Sequence, residues 1–237
     1  MIELSIVLPC YNESENLNQI FESIETILSS KDDLEIILVD NGSTDNSLEI
    51  MNGFKSAFES KRLQIVSIKK NIGYGHGIMT GLKNAKGKVL AWTHADLQTD
   101  LNDVTDAYDL FMSKGNVDQY ILKGKRVNRS FLDSTFTAGM SFISSLFLRQ
   151  RLSDVNAQPK MFKKDFLEFL NKAPDDFSLD LYFLYQSRKN KFKLIEYPVQ
   201  FNKRKHGVSK GGGSLCGKVK LTFRTLKYIL NLKRNLN

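Results

Sequence analysis

Short apolar runs alternate with longer stretches in which apolar side chains recur every three or four positions. Leu4 to Leu8 is such a run, closed by Pro9, and Leu34 to Val39, Leu63 to Ile68 and Val89 to Thr93 repeat the pattern. Each reads as a buried strand. Between the first two, Leu17, Ile20, Phe21, Ile24, Ile27 and Leu28 fall at helical spacing, which predicts a helix over residues 14–29. Asn12 with Glu15 three residues later fits a capping box at its start. A second helix is expected over about residues 45–59, capped by Ser43, Thr44 or Asp45, and a third ending near Ala85. The first hundred residues thus read β-α-β-α-β-α-β, the pattern of a parallel sheet with helices on both faces.

The second half is less regular. Leu101 to Met112 predicts a helix and Gln119 to Leu122 a strand. Phe136 to Leu148 predicts an apolar helix, too short to cross a bilayer and interrupted by Ser141, Ser144 and Ser145. Phe177 to Arg188 predicts another helix. Leu194 to Val199 predicts an edge strand, because Pro198 cannot donate to a ladder. Leu215 to Leu236 reads as a C-terminal helix with Leu215, Val219, Phe223, Leu226, Ile229 and Leu230 on one face and Lys220, Arg224, Lys227 and Arg234 on another. A basic amphipathic helix of this kind suits an anionic membrane surface, docking on its own domain, or docking on a second copy. The chain therefore divides into residues 1–212 and a helical tail, 213–237.

Polar residues gather where the strands end. Val89 to Thr93 gives way to His94, Asp96, Gln98 and Asp100. In open α/β sheets the crevice beyond the strand carboxyl ends is where ligands bind. Asp96, Gln98 and His94 are there candidates to hold a divalent cation on a pyrophosphate; an ordinary turn with Thr99 or Asp100 as helix cap is the structural alternative. Asp40 ends the second strand, suited either to capping its turn or to hydrogen bonding a base or ribose. Gly73, Gly75 and Gly77 lack the G-x-G-x-x-G spacing and follow the third strand rather than the first. They read as a flexible turn that lets backbone approach a ligand or a neighbouring strand.

Charge narrows the partners. The 237 residues carry 34 basic and 26 acidic side chains, a net +8, which favours phosphates, nucleic acid or an acidic membrane. No nucleic-acid motif accompanies the charge, and the basic residues collect around expected phosphate loops and the tail. Cys10 and Cys216 match no metal spacing and read as reduced thiols, with Met1 entering a strand directly and no signal peptide. A cytoplasmic chain, or one peripheral at the cytoplasmic face of a membrane, is the expectation.

Taken in order, Val7-Leu8-Pro9-Cys10-Tyr11-Asn12-Glu13, Val39-Asp40-Asn41-Gly42-Ser43-Thr44-Asp45, Asn71-Ile72-Gly73-Tyr74-Gly75 and Ala95-Asp96-Leu97-Gln98 resemble family 2 of the glycosyltransferases. Within it they look most like the dolichyl- and polyprenyl-phosphate sugar synthases, over about residues 3–212. The resemblance implies an α/β GT-A fold, a nucleoside-diphosphate sugar as donor (UDP or GDP), Mn²⁺ or Mg²⁺, and inversion at the anomeric carbon. It implies that Pro9, Tyr11, Glu13, Asp40 and Gly73 line the nucleotide pocket, with Asp96 and Gln98 at the metal and diphosphate. Arg126, in a basic stretch that also holds Arg129, resembles the family's Gly-x-Arg position. Residues 201–210 resemble its Arg-x-x-Gly-x-Ser-Lys loop, which gives Arg204 and Lys210 a role on phosphate, with Gly211 to Gly213 as a hinge.

Two stretches depart from the family's wording. His94-Ala95-Asp96 stands where the family has Asp-x-Asp; imidazole suits Mn²⁺ better than Mg²⁺. Asp154 to Lys160 stands where the family has Asp-x-x-Ser-Gly-Phe-Arg, with Asn156-Ala157-Gln158-Pro159-Lys160 in its place. A polyprenyl-phosphate acceptor is already an anion and needs no base. A saccharide hydroxyl needs one, and Asp154 and Asp180 are the candidates. A nucleotide-binding oxidoreductase or non-catalytic nucleotide binder is the rival class. The oligomeric state, a homo-oligomer included, is left open.

Overall fold

The computed structural model describes residues 1–58, 60–127, 145–148, 150, 152–202, 225, 227–230 and 232. Its centre is a seven-stranded sheet. Strands β1 (Leu4–Cys10), β2 (Leu34–Asp40), β3 (Leu63–Ser67), β4 (Val89–Trp92), β5 (Tyr120–Val127), β6 (Lys160–Lys163) and β7 (Lys193–Gln200) lie in the order β3-β2-β1-β4-β6-β5-β7. The first four are mutually parallel. β6 runs antiparallel between β4 and β5, and β5 pairs β7 in parallel. The carboxyl ends of β1, β2, β4 and β5 therefore share one rim with the start of β6.

Helices α1 (Leu17–Ser30), α2 (Ser47–Phe58), α3 (Tyr74–Asn84), α4 (Asn102–Met112) and α5 (Leu179–Lys189) follow, with a 3₁₀ segment at Lys164–Leu170. Alternate residues of β1 point to opposite faces, as the pleat requires. Leu4, Ile6 and Leu8 pack with Leu17, Ile24 and Phe111 on one face, and Val7 packs with Ile78, Leu82 and Phe183 on the other. Both faces are covered, which is why the early strands read as continuous apolar runs. Trp92 closes the second core, edge-on to Phe183 (5.0 Å) and Phe162 (6.0 Å).

The alternating βα pattern and the β7 edge with its Pro198 are as the sequence predicts. Four details differ. Helix α1 starts at Leu17 with Asn16 as cap, and Asn12 makes no capping box: it sits at φ 54° and its carboxamide bonds Thr44. β5 runs on to Val127, because the buried Lys123 finds a partner in Glu196 of β7 instead of ending the strand. β6 was not expected, being four residues bracketed by lysines after a proline. The Gly73 turn is packed rather than flexible: a Cβ at Gly73 or Gly75 would meet the Asp175 or Pro174 carbonyl oxygen at 2.3 or 2.2 Å. Of the helix expected over 136–148, residues 145–148 are described and helical. Of the C-terminal helix, residues 225, 227–230 and 232 are described and helical; the rest of both lies outside the described residues. Among the described residues no helix is long and apolar enough to cross a membrane.

Candidate active site

Two loops at the ends of β1 and β2 are stitched together. The Asn12, Glu13 and Ser14 amides donate to Ser43 Oγ (3.0 Å), Ser47 Oγ (3.0 Å) and Asp45 Oδ2 (3.3 Å). Asp45 is held below the usual carboxylate range: burial pushes it up, and the bonds from Ser47 and Ser14 outweigh that. This seam brings the loop that follows Pro9, with Tyr11 and Glu13, beside the exit of β2, where Cys10 pairs Asp40 in register. Asp40 is 2% exposed; its Oδ1 accepts the Ser43 amide (3.1 Å) and its Oδ2 the Ser67 hydroxyl (3.3 Å). The turn-capping role is therefore present. Each carboxylate oxygen keeps a further lone pair for a ligand. Gly73 joins the same rim through its carbonyl, which accepts the Asn41 carboxamide (3.0 Å).

The β4 exit is the second part. Asp96, 5% exposed, folds back so that Oδ1 accepts the Gln98 amide (3.1 Å), with Leu97 between them at φ 57°. Gln98 is tied to the end of β7 in both directions: the Asn202 amide donates to its carbonyl (2.8 Å), and its side chain donates to the Asn202 carbonyl (3.2 Å). The segment leading into residues 203–210 thus begins at the metal-candidate loop. His94 lines a cavity of about 220 Å³ with Leu8, Gln19, Ile20, Leu97 and Asn202. Among the described residues no three acidic, histidine or cysteine side chains form a metal cluster. One carboxylate and one imidazole fit a divalent cation only if a ligand such as a diphosphate supplies further oxygens.

The third part lies on β5, β6 and α5. In register across the sheet stand Trp92, Lys160, Lys123 and Glu196. Both lysines are fully buried. Lys123 meets Glu196 at 3.0 Å and Lys160 meets Asp180 at 3.2 Å. Burial lowers the Lys160 ammonium to about 8 despite Asp180. Arg126 grips Asp154 through its backbone amide (2.8 Å), its Nε (2.8 Å) and its Nη2. Burial raises Asp154, but this fork outweighs it and holds the carboxyl below its ordinary value. The Arg126 guanidinium also lies 5.3 Å from the centre of the Phe201 ring.

Asp180 is 2% exposed and shares Gln158 with Tyr74: Gln158 Nε2 donates to Asp180 Oδ1 (2.8 Å) and to the Tyr74 hydroxyl (3.1 Å). Tyr74 stacks on Phe177 (4.8 Å) and leans on His94 (5.6 Å). Burial, then the charge of Asp180, pushes its hydroxyl up, so it stays protonated. Asp96, His94, Arg126, Asp154 and Asp180 therefore reach one rim. Arg129, Arg204 and Lys210 lie outside the described residues. Tyr74, Gln158, Lys160 and Lys123 were missed as site residues. A lysine at each end of the Lys-Met-Phe-Lys run reads as solvent-facing, and only the odd placement of Gln158-Pro159-Lys160 against the family's wording signalled them.

Residues 5–170 match the family model described as glycosyl transferase family 2. The chain belongs to that family. A dolichol-phosphate mannosyltransferase of Pyrococcus furiosus is 25% identical over 98% of this chain and 64% of its own length. A dodecaprenyl-phosphate galacturonate synthase of Rhizobium johnstonii is 25% identical over 98% of this chain and 68% of its own length. The chain thus spans about two thirds of the length of these curated relatives. Among solved structures, glucosyl-3-phosphoglycerate synthase of Mycobacterium tuberculosis, in complex with Mn²⁺, UDP and glucosyl-3-phosphoglycerate, superposes with a TM-score of 0.71 at 16% identity, covering 98% of this chain and 80% of that one. A mannosyltransferase of Pyrobaculum calidifontis, in complex with GDP-mannose and Mn²⁺, gives 0.61 at 19% identity, covering 89% and 58%. The fold is GT-A, a mixed and mostly parallel sheet flanked by helices.

Proposed function

We propose that this family 2 glycosyltransferase moves a sugar from UDP or GDP to a polyprenyl phosphate, with inversion at the anomeric carbon. The observation that carries the reading is Asp96, nearly buried at the exit of β4, on the rim that β4 shares with the carboxyl ends of β1 and β2. The names of the curated relatives, which pair a sugar with a dolichyl or dodecaprenyl phosphate, support the acceptor class.

The roles follow from the chemistry. Pro9, Tyr11, Glu13, Asp40 and Gly73 hold the nucleoside. Asp96, with His94 and Gln98 beside it, would hold a divalent cation, Mn²⁺ or Mg²⁺, whose charge would stabilise the departing diphosphate. The acceptor oxygen forms its bond to the anomeric carbon as the bond to the diphosphate oxygen breaks. Arg126 is committed to Asp154 and Phe201, so it acts as a rigid footing rather than a free phosphate receptor; phosphate falls to Arg204 and Lys210. Asp154, with a lowered proton affinity and both oxygens engaged by Arg126, is ill-suited as a base. A second reading, transfer to a saccharide hydroxyl, is favoured by one observation: Asp180 is a buried carboxylate held by Gln158 (2.8 Å) and Lys160 (3.2 Å) on one oxygen rather than by a bidentate arginine fork.

The tail and the apolar residues Leu146 and Phe147 support a peripheral position at the cytoplasmic face of a membrane. The test supplies radiolabelled UDP-glucose and GDP-mannose, with Mn²⁺ and a short polyprenyl phosphate in detergent, and follows label into the organic phase. Transfer to lipid is expected. Label on an added saccharide instead would move the reading to the hydroxyl acceptor, and none on either would overturn it.

A further inference from the structure

We propose that Gln158 and Lys160 form a clamp that fixes the Asp180 carboxylate beside the β4 exit, both acting as positioning residues for transfer. The proposal rests on the reading above in which the β4 exit carries the donor diphosphate.

Asp180 is the second residue of α5, and its Oδ1 takes two donors from one short segment. Gln158 Nε2 is at 2.8 Å and Lys160 Nζ at 3.2 Å. Lys160 spends its other two N–H groups on the carbonyls of Val155 and Ala157, each at 2.7 Å. Three acceptors use up the three donors of an ammonium, and the side chain is fully buried, so Lys160 reaches no substrate and acts only through what it holds. Its charge is left for Asp180, because the neighbouring cations are already matched: Lys123 and Lys125 by Glu196 (3.0 and 3.2 Å), Arg126 by Asp154.

Gln158 is oriented with equal economy. Both amide hydrogens are committed, one to Asp180 and one to the Tyr74 hydroxyl, while its Oε1 is buried without a partner. Keeping an unpaired buried acceptor is unfavourable. The amide tolerates it to keep both donors where they are. Tyr74 leans on His94, so the chain of contacts runs from Lys160 through Asp180, Gln158 and Tyr74 to the β4 exit. The groups around Asp180 are thus Lys160 of β6, Tyr74 of α3 and Gln158, with Lys123 and Asp154 behind Lys160 and Asp96 beyond Tyr74.

The test builds Lys160→Met, Gln158→Leu and Asp180→Asn singly, and each of the first two combined with Asp180→Asn. Circular dichroism reports folding, calorimetry the affinity for UDP and GDP, and donor turnover kcat. Each single change is expected to lower kcat about 10–100-fold while nucleotide affinity moves less than about threefold. In the Asp180→Asn background either change costs less than about threefold more, since the carboxylate it positions is gone. An equal cost in both backgrounds, or a parallel loss of nucleotide affinity, overturns the clamp. If Lys160→Met does not fold, Gln158→Leu, which leaves the ion pair in place, carries the same test. A wild-type chain that binds neither UDP nor GDP brings down the donor reading and the clamp with it; one that binds but shows no coupling brings down the clamp alone.

Discussion

The two halves of the sheet solve the same packing problem with different chemistry. From β3 to β4 the strands are parallel and mostly apolar, and their two buried acids are met by neutral donors: Glu35 by Ser5 (2.7 Å), Gln64 (2.8 Å) and the Lys86 amide (2.6 Å), Asp40 by the Ser43 amide (3.1 Å) and the Ser67 hydroxyl (3.3 Å). From β6 to β7 the sheet is mixed, and full-length cationic side chains run through it. Lys160 and Lys123 lie side by side in register, each answered by a carboxylate from α5 or β7. A buried ion pair is a poor source of net stability compared with apolar packing. The first half therefore carries the fold and the loops assigned above by proposal to the nucleotide, and the second spends stability on holding charge in fixed places beside the rim.

That contrast breaks most directly at the Lys160–Asp180 pair. Lys160→Met alone leaves a buried, uncompensated carboxylate and is expected to cost about 3–5 kcal/mol in chemical denaturation. Lys160→Met combined with Asp180→Leu recovers most of it. A double variant no better than the single would mean that the half is held by something other than matched charge. Asp96→Ala, by contrast, is expected from the proposed role to touch function rather than the fold. It is expected to lower donor turnover by at least about 100-fold with little change in melting temperature.

How far the sequence could be read follows the same division. Residues such as Ile36, Ile37, Leu38 and Val39 lie buried on both faces, so their run announces a strand and its end announces Asp40. The Asp96 loop was legible for the same reason, as the polar exit of an apolar run. Nothing local distinguishes Lys123 or Lys160 from a solvent-facing lysine. Their partners, Glu196 and Asp180, lie 73 and 20 residues away in sequence and become neighbours only through sheet register and α5. The Gly73 turn was half legible. Its glycines signalled close approach, but the partner, the carbonyls of Pro174 and Asp175, is about a hundred residues on.

In the parallel half the expected effects are steric. Gly75→Ala drives a methyl group onto the Pro174 carbonyl and is expected to cost about 1–3 kcal/mol, read as a drop in denaturant midpoint. An unchanged midpoint would mean that the 174–176 loop yields easily.

Smaller again is the pH dependence of the Arg126–Asp154 fork. Asp154 is depressed in the folded chain, so its contribution is fully present above the ordinary carboxylate value of 3.8 and is lost as pH falls through the lower folded value. Asp154→Asn is expected to cost about 1–2 kcal/mol at neutral pH. The gap from wild type narrows as pH falls below 3.8, and a constant gap across pH would contradict the assignment. The smallest effect belongs to the exposed Lys88–Glu3 pair (2.8 Å): Lys88→Ala should move stability by no more than about 0.5 kcal/mol.

The donor site itself is tested most directly by calorimetric titration of UDP and of GDP into the wild-type chain and into Asp96→Ala, with Mn²⁺ and again with EDTA. One nucleotide is expected to bind the wild type with an affinity that falls when the metal is removed, and Asp96→Ala should lose that metal dependence while staying folded. Binding that is indifferent to both EDTA and Asp96, or no binding of either nucleotide, would contradict a donor site built on the exit of β4.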